Sequence, residues 1–148
     1  MFGEFEAKVA EQQALLERLG ITARQSGGLA VDLGCGSGFQ SIGLARLGFR
    51  VLAIDFSHRL LAELNERARG LPIAAIAGDI REVAALAPTG VELVVCMGDT
   101  LSQELRRAPP ARSSLHALPR VSPQSRSGTP IAYVTRRRKS DRESAKFG

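Results

Sequence analysis

Three glycines in five residues, Gly34, Gly36 and Gly38, separate an apolar run at Leu29–Leu33 from a helical pattern at Gly38–Leu47. A chain turns this sharply, and lets its backbone come this close to a ligand, only where Cβ atoms are missing. Strand, glycine turn and helix together form the first unit of a parallel sheet, since parallel strands need a crossover between them. The alternation then repeats. Arg50–Ile54 is a second strand closed by Asp55, and Ser57 stands where an N-cap belongs before a helix at His58–Arg69. Leu60, Leu61, Leu64 and Ala68 mark the buried face of that helix, and Gly70 ends it. Pro72–Ala77 reads as a third strand, Ile80–Leu86 as a short helix and Val91–Met97 as a fourth strand, nearly all apolar. Strands this apolar are expected where helices cover both faces of a sheet. The fold class is therefore α/β, a Rossmann-like open parallel sheet with right-handed crossovers. Before it, residues 2–19 form an amphipathic helix with Phe5, Val9, Leu15, Leu16 and Leu19 on one face and a polar slip at Gln12. It reads as a packing helix, with a lid over a ligand as the second reading.

The formal net charge is +5 over 148 residues, but it is unevenly spread. Residues 1–104 hold 9 basic and 13 acidic side chains, whereas residues 105–148 hold 11 basic and 2 acidic ones. Five of the seven prolines and a cluster of serines also fall after residue 104. A segment so poor in apolar surface cannot offset its ordering entropy. The chain thus divides into a folded part, 1–104, and a basic Arg/Pro/Ser-rich tail, 105–148, expected to be largely disordered, with one strand-like run at Ile131–Val134. The longest apolar runs fall far short of the roughly 18 residues of a membrane span. The N-terminus lacks the apolar stretch of a signal peptide. Cys35 and Cys96 belong to no CxxC or Cys/His cluster, so a structural metal is not expected and a reducing, cytoplasmic setting is.

The chemistry gathers at one sheet edge. The helix after the glycine turn points free N–H groups into the space beside Gly34, Gly36 and Gly38. Asp55, 21 residues after Gly34, lies beside that turn and can accept hydrogen bonds from the ribose hydroxyls of an adenosine. Asp79 follows the third strand on the same edge, where it can accept from an adenine amino group, and the N–H of Ile80 can serve a ring nitrogen. A strand-end aspartate alone is usually a helix cap. Three acidic groups, Asp32, Asp55 and Asp79, beside a triple-glycine turn form a site pattern.

These residues carry a resemblance. Val31-Asp32-Leu33-Gly34-Cys35-Gly36-Ser37-Gly38 resembles the first motif of class I S-adenosylmethionine-dependent methyltransferases, and Asp55 matches their acidic end of strand two. Gly78-Asp79-Ile80 is similar to their adenine-contacting segment. Leu93-Val94-Val95-Cys96-Met97-Gly98-Asp99-Thr100-Leu101 is similar to their fourth motif, in the form of small-molecule enzymes related to glycine and sarcosine N-methyltransferases. The resemblance covers about residues 1–104. It implies S-adenosylmethionine as cofactor and a small-molecule N or O acceptor. Gly34 and Gly36 would pass close to the methionine part, Gly38 and the small filler Cys35 belong to the same cofactor loop, and Asp32 would orient the amino group. Asp55 would bind the ribose with Phe56 against the adenine, and Asp79 and Ile80 would hold the adenine edge. Cys96, Met97 and Gly98 would line the floor near the sulfonium. Asp99 and Thr100 would face the substrate, with Asp99 the candidate proton acceptor. His58 reads as a surface residue.

Two other readings compete. A nicotinamide-dependent Rossmann oxidoreductase carries GxGxxG, and here the position of its last glycine is Phe39. A nucleic-acid-binding module is suggested by Arg136-Arg137-Arg138-Lys139, but only Tyr133 and Phe147 could stack on bases there. A complete class I fold has seven strands and this pattern offers about four. The resemblance therefore implies an incomplete sheet with an unpaired outer edge on the fourth strand. The last third would be out of frame with an ancestral gene, or the gene otherwise truncated, and activity could be lost.

Overall fold

A computed structural model describes residues 2–23, 27–79, 82, 90–96, 122–124 and 132–136. In chain order the elements are α1 (Phe2–Arg18), β1 (Gly28–Leu33), α2 (Phe39–Arg46), β2 (Phe49–Asp55), α3 (His58–Arg67), β3 (Ile73–Ala77), β4 (Val91–Cys96), β5 (Ser122–Gln124) and β6 (Ala132–Arg136). The strand order is β3-β2-β1-β4-β6-β5. β1 pairs in parallel with β2 on one side and β4 on the other, and β2 pairs in parallel with β3. The four expected parallel strands are all present, within two residues of their predicted bounds.

The outer edge of β4 departs from expectation. It is not left open, because β6 pairs with it antiparallel, with Cys96 opposite Tyr133 and Leu93 opposite Arg136. β5 adds to β6, again antiparallel. Both strands lie in the segment assigned to the tail, and β6 overlaps the run Ile131–Val134. The physical reason is that a parallel strand presents a row of unpaired N–H and C=O groups at its edge, which the most β-prone stretch nearby can satisfy. The remainder of residues 105–148 lies outside the described residues, as does most of the helix expected at Ile80–Leu86.

The described helices all pack on one face of the sheet. Leu16 of α1, Ile21 just after it and Leu44 of α2 enclose Ala30, Phe49, Val51, Leu93 and Val95. Val9, Ile42, Leu61, Leu64 and Ala68 enclose Ala53 beside Cys35. Val31, Leu33, Leu52, Ile54 and Cys96 form a separate cluster on the opposite face, as the two-residue alternation of strands requires. α1 behaves as a packing helix. Val9 and Leu16 are fully buried while Leu19 is exposed. Gly43 lets α2 close onto it, since a Cβ there would stand 3.4 Å from the main-chain N of Gln13. The polar slip at Gln12 is half-buried, and its Oε1 is enclosed without a hydrogen-bond partner. Phe5 anchors the start of α1 between the Phe39 ring at 4.8 Å and the Arg67 guanidinium at 4.0 Å. Glu6 adds an ion pair to Arg46 at 3.0 Å.

Candidate functional site

Going from β1, the chain reaches β2 and β3 on one side and β4 on the other, so the strand order reverses between β1 and β4. In open parallel sheets the crevice at the carboxyl ends beside such a reversal is where ligands bind. The glycine turn, the end of β2 and the Gly78-Asp79 segment all lie on this edge.

The turn is held by the end of β2. The main-chain N–H groups of Gly34 and Cys35 donate to the Ile54 carbonyl at 2.8 and 3.1 Å. Gly36 N–H donates to Asp55 Oδ2 at 2.9 Å, and Ser57 N–H donates to Asp55 Oδ1 at 2.9 Å. Asp55 is thus the expected neighbour of the loop and also its clamp. Each of its oxygens has one main-chain donor and a further lone pair for an outside donor. Gly34, Gly36 and Gly38 all have positive φ, at 67°, 56° and 97°. The three are not equivalent. A Cβ on Gly36 would meet nothing within 4 Å, so open space lies beside it. A Cβ on Gly38 would lie 2.2 Å from Leu64 Cδ1. Gly36 therefore borders the crevice, and Gly38 is there for packing against α3.

Ser57 is the N-cap of α3 as expected, its Oγ accepting from Leu60 N–H at 3.4 Å. This fixes the neighbouring Phe56, whose side chain is 71 % exposed and available as a wall. Asp79 is half-buried, and its carbonyl accepts from Glu82 N–H at 2.9 Å. Gly78 N–H donates to the Asp55 carbonyl at 3.1 Å, which draws Asp79 to the end of β2. His58 is exposed on α3.

Asp32 is placed differently from the glycines around it. It is 1 % exposed, and Ser41 Oγ–H donates to its Oδ2 at 2.6 Å. Gly38, the N-cap of α2, has no side chain to cap with, and the Ser41 hydroxyl ties the first turn of α2 to β1. Burial is the main reason that the Asp32 pKa is raised to about 7, with the Asp55 charge adding to it and the Ser41 hydrogen bond opposing it. Burial likewise pushes the Cys35 thiol up, and Cys35 packs with Val9, Ile42 and Leu64 as a small filler. Cys96 ends β4 beside Leu33 but turns its side chain into the cluster on the face opposite Asp32. Ile80, Met97, Gly98, Asp99 and Thr100 lie outside the described residues. Sequence reasoning misses Ser41. Its signal is a hydroxyl three places after Gly38, on a helix whose neighbours Ile42, Gly43 and Leu44 are all buried.

The sequence profile of the family described as methyltransferase domain matches residues 30–120. The chain belongs to the methyltransferase-domain family. Its parallel order and motif order make it a member of the class I, S-adenosylmethionine-dependent type. This methyltransferase-domain chain is similar to a ubiquinone biosynthesis O-methyltransferase of Klebsiella pneumoniae, at 32% identity over 110 residues, covering 70% of the chain and 43% of the relative. It is also similar to a cypemycin N-terminal methyltransferase of a Streptomyces species, at 39% identity over 57 residues, 38% of the chain and 23% of the relative. The chain thus spans less than half the length of these curated relatives. Among solved structures it shares its fold with a ribosomal protein L11 methylase of Lactobacillus delbrueckii subsp. bulgaricus, with a TM-score of 0.52 at 19% identity, covering 88% of this chain and 79% of that one. These relatives favour neither the oxidoreductase reading nor the nucleic-acid reading.

Proposed function

We propose that this chain binds S-adenosylmethionine at the carboxyl edge of β1 and β2 and transfers its methyl group to a nitrogen or oxygen of a small molecule. The observation that carries the reading is the Asp55 carboxylate, bonded to the Gly36 amide beside open space and retaining a lone pair on each oxygen for ribose hydroxyls. The residues fit the cofactor. Gly36 leaves room for its methionine part, the exposed Phe56 offers a ring to the adenine, and Asp79 stands at the adenine end of the crevice. Bound there, the cofactor supplies an activated methyl on a sulfonium, so the protein need only position donor and acceptor. Ile80, Met97 and Cys96 belong to the same proposed site by motif position, and Asp99 is the proposed proton acceptor. The relatives named ubiquinone biosynthesis O-methyltransferase and cypemycin N-terminal methyltransferase support the acceptor class.

We also assign the cofactor half to residues 1–104. Among the described residues no helix is long and apolar enough to cross a membrane. The two cysteines are buried and in no disulfide, which fits the cytoplasm.

Calorimetric titration of the full chain tests the reading. S-adenosylmethionine and its demethylated product are expected to bind, and NAD is not. Asp55→Ala removes a charged acceptor from two hydroxyls, so affinity should fall by at least about tenfold. Tight binding of NAD, or unchanged affinity in Asp55→Ala, overturns it.

A further inference from the structure

The Asp32–Ser41 pair is the buried ionisable arrangement at this edge, among the described residues, whose charge state the cofactor reading leaves unassigned. It is sealed from solvent, with Asp32 1 % and Ser41 0 % exposed. It joins the end of β1 to the first turn of α2, directly across the glycine turn that it closes. Among the described residues, the groups facing it are acidic or neutral, and the Ser41 hydroxyl donates to it. On β2 the same-face residues are Ala53 and the acidic Asp55. On β4 they are Leu93 and Val95, with Cys96 packed on the other face and Glu92 at the register shift before Leu93. From the turn comes the Cys35 thiol. The cation of α2, Arg46, is engaged by Glu6 on the protein exterior. α1 contributes Val9 and α3 contributes Leu61 and Leu64 to this side of the core. An enclosed carboxyl with an acidic neighbour and no cation holds its proton. Accordingly it is half-protonated near pH 7.

S-adenosylmethionine brings a sulfonium and an ammonium to this edge. We propose that Ser41 is a positioning residue acting through Asp32, setting the charge that Asp32 presents, so that loading of the cationic cofactor expels one proton from the Asp32–Ser41 pair. The inference rests on the proposed cofactor site. The step balances: the neutral acid gives its O–H proton to solvent, and the carboxylate left behind keeps the Ser41 hydroxyl hydrogen bond and lies within the field of the ligand's positive charge. Binding and ionisation are then linked, and affinity depends on pH wherever the empty site is protonated. Ser41 sets where that happens, because its hydroxyl favours the ionised form.

The test is titration of the full chain with S-adenosylmethionine from pH 5.5 to 7.5, in paired buffers of different protonation enthalpy. About one proton should be released per cofactor at the acid end, and affinity should rise nearly tenfold per pH unit until it levels near pH 7. Asp32→Asn should bind with no proton release and no such slope. Ser41→Ala should move the levelling point to higher pH, whereas a purely structural serine would lower affinity equally at every pH. If the alanine variant does not fold, Ser41→Cys, a weaker donor of similar size, should give the same upward shift. Cofactor binding with no proton release, or an unmoved levelling point, overturns the inference alone. No binding by the unsubstituted chain at any pH overturns the cofactor reading with it.

Discussion

Gly38→Ala is expected to lower the unfolding free energy by about 3 kcal/mol, the sum of backbone strain and overpacking. The backbone part arises because φ at Gly38 is 97°, a region that costs an L-residue about 1–2 kcal/mol. The packing part arises because the new methyl would lie 2.2 Å from Leu64 Cδ1 and 3.2 Å from its Cγ. Rotation about the leucine Cβ–Cγ bond moves its two methyls and leaves Cγ where it is. Leu64 is fully buried among Val9, Cys35, Ile42 and Leu61, so its other rotamers are filled. Gly36→Ala separates the two parts. Its φ is 56° and its Cβ meets nothing, so only the strain remains, about 1 kcal/mol. Its larger effect should be on cofactor affinity, since the methyl enters the space beside the Asp55 clamp. Urea unfolding of the two variants checks this, and equal losses would show that Leu64 yields freely. Gly38→Ala combined with Leu64→Ala should cost less than the two single changes added together, because the second change makes room for the first.

The two glycines look alike in the sequence and differ only once the chain is folded, which marks the limit of what residue order conveys. Spacing of apolar residues and glycines places β1 to β4 and α1 to α3, because period and punctuation are local properties of the chain. The cap at Ser57 and the buried face Leu61, Leu64 and Ala68 are readable for the same reason. Asp55 beside the turn follows from topology, since adjacent parallel strands end at one edge. Three things are not readable. That Gly38 packs against Leu64, 26 positions away, depends on how α3 lies over the turn. The pairing of β6 with β4 joins residues about 40 apart across a basic, proline-rich stretch, where composition argues against order. Composition describes a segment's own apolar surface, and it takes no account of a neighbouring strand edge that offers main-chain partners. Lastly, Asp32 and Ser41 each look ordinary alone. One reads as a motif residue and the other as a helix-surface hydroxyl, and only the approach of β1 to α2 makes them a pair. The motif assigns Asp32 to the ligand, and the structure adds that it takes the Ser41 hydroxyl of α2.

That second role gives Asp32 a cost in stability with a definite pH signature. Its pKa is raised from its ordinary 3.8 to about 7, chiefly by burial. Below pH 4 the group is protonated in both the folded and the unfolded chain and contributes no difference. Between pH 4 and 7 the unfolded chain ionises it while the folded chain still holds the proton, so the equilibrium shifts toward unfolding as pH rises. Above 7 both are ionised and the loss is complete, amounting to about 4 kcal/mol relative to pH 4. Other carboxylates titrate over the same range, so the effect is isolated by difference. Asparagine matches the neutral acid in shape and keeps an oxygen for the Ser41 hydroxyl. The unfolding free energy of Asp32→Asn minus that of the unsubstituted chain should therefore climb by about 4 kcal/mol from pH 4 to pH 7 and stay level beyond. A flat difference would mean that Asp32 ionises freely where it sits, through solvent reaching the pair. Saturating S-adenosylmethionine should shrink the climb, because a cation beside the carboxylate offsets part of the cost of its charge. The same aspartate that weakens the empty fold would thereby favour the loaded one, and removing it should stabilise the protein while weakening its hold on the cofactor.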